Sequence, residues 1–443
     1  MKIFGPILYI GLTAFLIGGA SHTVANDLAL RLTLNDCMER GLDRSIPLAN
    51  ARRDLEIARA QIRIVRAQAH PTLDLNANYT RLDDVPTIPE FPVAMGRRNT
   101  YAAFADAEQL LYAGGAVRAA LRIAEYFEDA AAQEVKRMES DLVRQITRGF
   151  YEVLYNRYAR DVARASVRQL EAFEEQVRAR FNAQTASEFE WLSAQVALAN
   201  ERPAWIAAEN ALTLSRRAFR DLIHLEEETF ELDGELDIEP AMFDLRTLQI
   251  HAVEHRPELL QARAQQGVAQ NQLRVTQAEY LPEIRAFASY GGADPSQRNP
   301  FADGWEWEWM AGVRLHWSLF DGGRRRAGLR ADRLEIEKID ENLYDLERAT
   351  RLEAERLWLA LEEARETLRG TADNIALAER ALHIAAVRHE QGLATHLDFT
   401  DSNLALNNAR LNHSRALLGY QHTLADLRHV TGLRALPERE TPP

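Results

Sequence analysis

Two hydrophobic periods alternate along this chain. From Trp305 to Leu319 the period is 2: Trp305, Trp307, Trp309, Val313, Leu315, Trp317 and Leu319 fall on one face of a strand, and Glu306, Glu308, Arg314, His316 and Ser318 on the other. After Gly322-Gly323 the period turns helical, and the same change occurs at Gly114-Gly115, behind a strand pattern that runs from Tyr101 to Leu111. Strands are predicted over about 72–82, 100–112, 283–292 and 305–320. In the first, Leu73, Leu75, Ala77 and Tyr79 alternate with Asp74, Asn76, Asn78 and Thr80. Ten or so residues is the length that a tilted strand needs to cross a bilayer. Behind each glycine pair comes a helical pattern of roughly 65 residues, nearly 100 Å at about 1.5 Å per residue, far longer than one globular core requires. Its apolar stripe has coiled-coil spacing: Leu361, Leu368, Ile375 and Leu382 are seven apart, and the helix that descends from it continues with Leu397, Leu404, Leu411 and Leu418.

The order of elements occurs twice. Ala69-His70-Pro71 is answered by Tyr280-Leu281-Pro282, and beyond the next loop Arg180, Ser187, Glu190 and Ser193 are answered by Arg388, Thr395, Asp398 and Asp401. Residues 1–25 are expected to be a signal peptide. A first repeat then spans 26–232, with its long hairpin at 115–225. A second spans 233–443, with its hairpin at 323–432 and a disordered tail from Pro437. In each repeat a short helix (34–42 or 245–254) precedes a second that starts near Pro47 or Pro257, where proline is tolerated in the first turn. The segment from Asp83 to Asn99, with Pro86, Pro89 and Pro92, reads as a loop, and Pro203 should kink the helix that contains it.

Composition narrows the compartment. Lys2, the apolar run Ile3–Ile17 and the small residues after it have the layout of a secretory leader, too short to span a membrane. Mean hydropathy is −0.34 and no later run is apolar enough for a transmembrane helix, so membrane entry would require a barrel. A net charge of −13 and a pI near 5.5 speak against a nucleic-acid partner. Cys37 is the only cysteine, which rules out an intramolecular disulfide and reads as a helix-face residue. The aromatics Trp305, Trp307, Trp309 and Trp317 read most simply as anchors at the membrane interface, and an outer loop resting on a barrel rim would show the same pattern. Four strands cannot close a membrane barrel, and an open sheet in lipid would leave two edges of unpaired backbone, so several chains must share one barrel.

Taken with the double repeat, Leu-Leu-Tyr-Ala-Gly-Gly (110–115), Leu-Phe-Asp-Gly-Gly (319–323) and Gly-Leu-Ala-Thr-His-Leu-Asp (392–398), the whole mature chain resembles the TolC family of outer-membrane efflux proteins. The resemblance implies a mainly α fold with membrane β-barrel strands. In each of two tandem repeats, two β-strands carry a long α-helical hairpin. It implies a homotrimer in outer-membrane lipid, whose twelve-stranded barrel continues as an α-helical tunnel in the periplasm. Its partners would be a periplasmic adaptor and an inner-membrane pump. The function implied is a passive exit duct, without enzymatic activity, cofactor or metal. Small-molecule efflux ranks first as cargo and type I polypeptide secretion second; a periplasmic coiled-coil scaffold is the competing class.

The resemblance also assigns sites. Asp398 and Asp401, one turn apart after the second hairpin tip, with Glu190 in the first repeat, would ring the periplasmic mouth and favour cations. The alternative is that they are first-turn acids favoured by the helix dipole. The tips Gln184, Thr185, Ala186 and Ser187, and Gly392, Leu393, Ala394 and Thr395, correspond to adaptor-docking segments. Gln184 replaces the helix-terminating glycine that the second tip has. His383, His389 and His396 are spaced six and seven apart across a helix break, which is not a ligand pattern. No nucleophile elbow, His-Glu-x-x-His or phosphate loop is present.

Overall fold

The computed structural model describes residues 30–85, 87–88, 91–94, 97–226, 229–236, 242–295, 304–391 and 393–432. The leader, the tail from Pro437, and Gly392 lie outside the described residues. The first repeat contains β1 (Leu30–Leu32), α1 (Leu34–Arg44), α2 (Ile46–Ala67), β2 (Thr72–Arg81), β3 (Thr87–Ile88), β4 (Phe91–Ala94), β5 (Asn99–Ala113), α3 (Ala116–Asn182), α4 (Glu188–Leu222) and β6 (Phe230–Leu232). The second contains α5 (Leu245–His255), α6 (Pro257–Ala278), β7 (Glu283–Asp294), β8 (Glu306–His316), α7 (Arg324–Glu390) and α8 (His396–Thr431).

Local chemistry sets the boundaries. Thr33 and Asp36 form a capping box on α1, and Ser45 caps α2 with Pro47 in its first turn. The strand-to-helix turns at both glycine pairs need left-handed backbone: φ is 61° and 89° at Gly114 and Gly115, and 68° and 92° at Gly322 and Gly323. The segment predicted as loop between Asp83 and Asn99 contains the small antiparallel pair β3–β4. The last strand stops at His316 rather than near 320, because its ladder partner β7 begins only after Pro282 and pairs Glu283 with His316. Trp317 and Leu319 therefore follow the strand instead of belonging to it, and Trp305 precedes it. α4 runs through Pro203 as one helix.

The four long strands form one antiparallel sheet in the order β2-β5-β7-β8. The helices repeat that order. α3, 67 residues long, has α2 along its N-terminal half, tied by Arg52–Glu139 and Arg59–Glu128, and α4 along its C-terminal half, tied by Arg202–Glu171. On its other side α3 contacts α6 and α8, and these in turn pack on α7, also 67 residues. Four helical columns result, α2 with α4, α3, α6 with α8, and α7, each continuous with one strand of the sheet.

Two apolar cores hold the columns at mid-length. One joins Ile146, Phe150 and Leu154 of α3 to Phe219 of α4, Cys37 of α1 and the parallel pair β1–β6, where Leu30 to Leu32 match Phe230 to Leu232. Burial pushes the Cys37 thiol up to about 12, in keeping with a packing role. The other joins Leu357, Leu361 and Leu368 of α7 to Tyr420, Leu424 and Leu427 of α8. A fully buried Phe219 or Leu427 contributes about 2–3 kcal/mol. The repeats meet at the α3–α8 seam, where Asp426 accepts from Arg144 and Arg148 and the buried Asn407 donates to Ser166 at 3.0 Å.

Candidate functional site

The sheet has two chemically different faces. Register places Asp74, Asn76 and Asn78 beside Ala102, Phe104 and Asp106, then Phe287, Ser289 and Gly291, then Glu308, Met310 and Gly312. On this mostly polar face the Asp106 carboxylate accepts from Asn76 Nδ2 at 2.8 Å and Ser289 Oγ at 2.6 Å, and Arg285 is paired with Glu108 and Glu283. The opposite face carries Leu73, Leu75, Tyr79, Ile284, Tyr290, Trp307, Trp309, Val313 and Leu315. Leu75 and Trp309 are 78% and 76% exposed. Aromatics gather at both ends of that apolar face. At one, Trp307 stacks on Tyr290 with Trp305 beside it; at the other, Trp317 Nε1 donates to the Tyr280 carbonyl at 3.1 Å.

At the junction of strand and helix in the second repeat, Asp321 accepts from the Gly323 and Arg325 backbone N–H groups and from Arg325 Nε at 2.7 Å. Arg325 is buried, donates to the Glu279 carbonyl, and lies over the Tyr280 ring. Burial pushes the Asp321 carboxyl up, but the hydrogen bonds from Arg325 and Gly323 outweigh it and hold the group below the usual carboxylate range. In the first repeat the matching position is Ala113.

At the far end of the helices the two tips share one design. In both, a backbone N–H returns to the helix: Thr185 N–H to the Arg180 carbonyl and Leu393 N–H to the Arg388 carbonyl, each at 2.8 Å. Gln184 adopts φ 60°, so the first tip builds with glutamine the left-handed turn for which glycine is the ordinary residue. Each descending helix then opens on a capping box. Ser187 N–H donates to Glu190 Oε2 at 2.9 Å, and Glu190 N–H to Ser187 Oγ. Thr395 donates to Asp398 Oδ2 from its backbone N–H at 2.8 Å and from Oγ1 at 2.7 Å. Those bonds hold the Asp398 carboxyl below its ordinary range. Glu190 and Asp398 are thus built into helix starts, a signal already present in Ser-x-x-Glu and Thr-x-x-Asp. Asp401 is exposed one turn further on.

Aromatic contacts hold the tips side by side. Phe173 of α3 stacks on Phe399 of α8 with ring centroids 5.4 Å apart, and the His389 ring packs against both. Phe181 stacks on Trp191, whose Nε1 donates to Glu174. His389 therefore packs between hairpins, and among the described residues no cluster of three or more metal-ligating side chains occurs. Around the tips, apolar side chains remain exposed: Phe189 at 78%, Leu393 and Leu397 at 65%, with Val196 and Leu404 one heptad beyond.

Residues 38–223 and 250–433 match the model of a family described as outer membrane efflux protein. The protein CyaE of Bordetella pertussis is 29% identical over 182 residues, and the alkaline protease secretion protein AprF of Pseudomonas aeruginosa 24% over 182. These matches span 41% of this chain and 38% of the length of each relative. The fold is that of the outer membrane protein VceC from Vibrio cholerae, with a TM-score of 0.75 at 19% identity over 90% of this chain and 96% of that one. With both halves matched and most of the chain covered, this chain belongs to the outer membrane efflux protein family, and its place is the outer membrane.

Proposed function

We propose that the protein is a passive exit duct without chemistry of its own, assembled as a homotrimer. The observation that carries this reading is the four-stranded sheet with one apolar face, one polar face and two open edges, β2 and β8. Its strands alternate in direction, so β8 of one copy meets β2 of the next antiparallel, and copies added head to tail keep every pairing antiparallel. The helical columns at the same two margins keep apolar side chains exposed, among them Ile57 and Ile64 of α2 and Leu352, Leu359 and Leu377 of α7. A second copy would cover edge and stripe together. Three copies make a twelve-stranded barrel, apolar outside and polar within, continued by a tunnel of columns nearly 100 Å long.

In this reading the tips are the periplasmic mouth. Glu190, Asp398 and Asp401 set a negative potential there, the first two while also starting their helices, and cations pass preferentially. The exposed Phe189, Leu393 and Leu397 give Gln184–Ser187 and Gly392–Thr395 an apolar surface for a periplasmic adaptor, which connects the duct to an inner-membrane pump. Small-molecule efflux is the first reading of cargo, and the family's description as an efflux protein supports the efflux part of it. Polypeptide secretion is the second, and similarity to a protein named for alkaline protease secretion favours it.

Mass in detergent and single-channel current across a planar bilayer under a salt gradient test this together. A trimer with cation-preferring steps is expected. Asp398→Asn with Asp401→Asn should weaken the preference or raise the current, and unchanged selectivity would leave Asp398 as a helix-start residue and Asp401 as an exposed helix acid alone. A water-soluble monomer that never inserts would sink the duct.

A further inference from the structure

On the polar face of the sheet, two phenylalanines stand directly opposite glycines: Phe104 opposite Gly291 and Phe287 opposite Gly312. Glycine weakens a strand interior, so two such pairs on one face call for a reason. Proximity supplies it. A Cβ added to Gly312 would lie 2.9 Å from Phe287 Cζ and 3.1 Å from Cε1, so the end of the ring occupies the space that a side chain at 312 would need. Arg314, two residues along on the same face of β8, places its guanidinium carbon 5.0 Å from the Phe287 ring centroid. The ring is thus laid down along the wall, over Gly312 and beneath Arg314. At Gly291 the added Cβ would meet the Ala103 carbonyl oxygen at 2.2 Å as well as Phe104, so there the strands themselves exclude a side chain.

We propose that Gly312 sets the bore of the barrel: it is the recess that lets Phe287 lie flat, and any side chain at 312 turns that ring into the conduction path. This rests on the duct reading, in which the polar face lines the channel. One ring per copy stands at one level of the barrel, so a trimer would raise three rings together. The cost of lifting the ring is small, since it is the free end of a side chain, whereas its effect on the free cross-section is multiplied by symmetry. Arg314 shares the consequence: when the ring rises, the cation loses its aromatic face and moves toward the axis, adding a positive charge to a wall that carries Asp106, Glu108, Glu283 and Glu308, with Arg285 paired among them.

Gly312→Val is the decisive variant, examined as purified trimer. Its single-channel conductance should fall about twofold with reduced cation preference, and Phe287→Ala in the same chain should restore both. Phe287→Ala alone should leave conductance close to wild type, because the ring it removes lies against the wall. A fall in Gly312→Val that Phe287→Ala does not relieve overturns the proposal, as does a large rise in Phe287→Ala alone. Where a shut mouth limits the current, the cryo-EM structure of the Gly312→Val trimer decides: a Phe287 ring still flat over residue 312 overturns the proposal whatever the current. Failure of the wild type to insert or conduct would instead count against the duct.

Discussion

The two strand-to-helix junctions have the same backbone and different surroundings. Gly114 and Gly322 share left-handed φ values of 61° and 68°, but a Cβ at Gly114 would sit 2.8 Å from the Ala278 carbonyl oxygen and 3.0 Å from Leu281 Cβ, while a Cβ at Gly322 would meet nothing within 4 Å. The first junction lies between columns of this chain, packed on α6. The second lies at the margin, beside the open edge β8. Equal sequence motifs therefore carry unequal constraint: a turn requirement alone in one, a turn requirement plus a packing requirement in the other. The margin is instead held by Asp321 and Arg325, which bond to each other and, through Arg325, to Glu279 and Tyr280 at the end of α6; the matching position in the first junction is Ala113.

The largest test of that difference is alanine at each position. Both variants should lose about 1–2 kcal/mol to left-handed strain, and Gly114→Ala a further 1–3 kcal/mol or so to displaced neighbours. Thermal midpoints and the yield of assembled protein should therefore fall much more for Gly114→Ala; equal losses would remove the packing half of the comparison. The next test uses acid. Because the folded-state carboxyl of Asp321 is held below its unfolded value, its stabilisation is present at neutral pH and is lost as pH falls through the folded value, below about 4. The gap in thermal midpoint between wild type and Asp321→Asn should be full at pH 7 and close under acid. A gap that widens as pH falls would contradict the assignment.

The smallest effect belongs to the tips. Gln184→Gly should stabilise the first hairpin by up to about 1 kcal/mol, since glycine reaches φ 60° without strain although it adds freedom to the unfolded chain. A denaturant midpoint that drops would mean that the Gln184 side chain makes a contact worth more than the strain it carries.

The long elements were legible because their periods are unmixed. The change from period 2 to a heptad at Gly115 and Gly323 fixed the helix starts to within a residue, and the repeated prolines fixed the starts of α2 and α6. Ends that depend on a partner were not legible. β8 stops where its antiparallel partner β7 begins, so the alternation carries Trp317 onto a strand that the ladder does not extend to. Three residues each in β1 and β6 leave no period to read, and prolines obscure the β3–β4 hairpin. Heptad spacing also says nothing of direction: Leu361 and Leu368 of α7 are buried, whereas Leu397 and Leu404 of α8, equally seven apart, are exposed. At the tips, the sequence pointed to Asp398 and Glu190 but gave no view of their hydrogen bonds, although the capping pattern was there to be read. The Phe287–Gly312 pair requires cross-strand register, which no single segment encodes.

The four columns carry one further implication. Each repeat contributes one upward and one downward strand, so any whole number of repeats can be joined in a ring without a clash of direction. Polarity therefore places no limit on how many copies assemble. The count must come from curvature, the angle each column makes with the next, and small changes at α3–α6 and α6–α7 packing would alter the size of the ring before they altered the fold of a subunit.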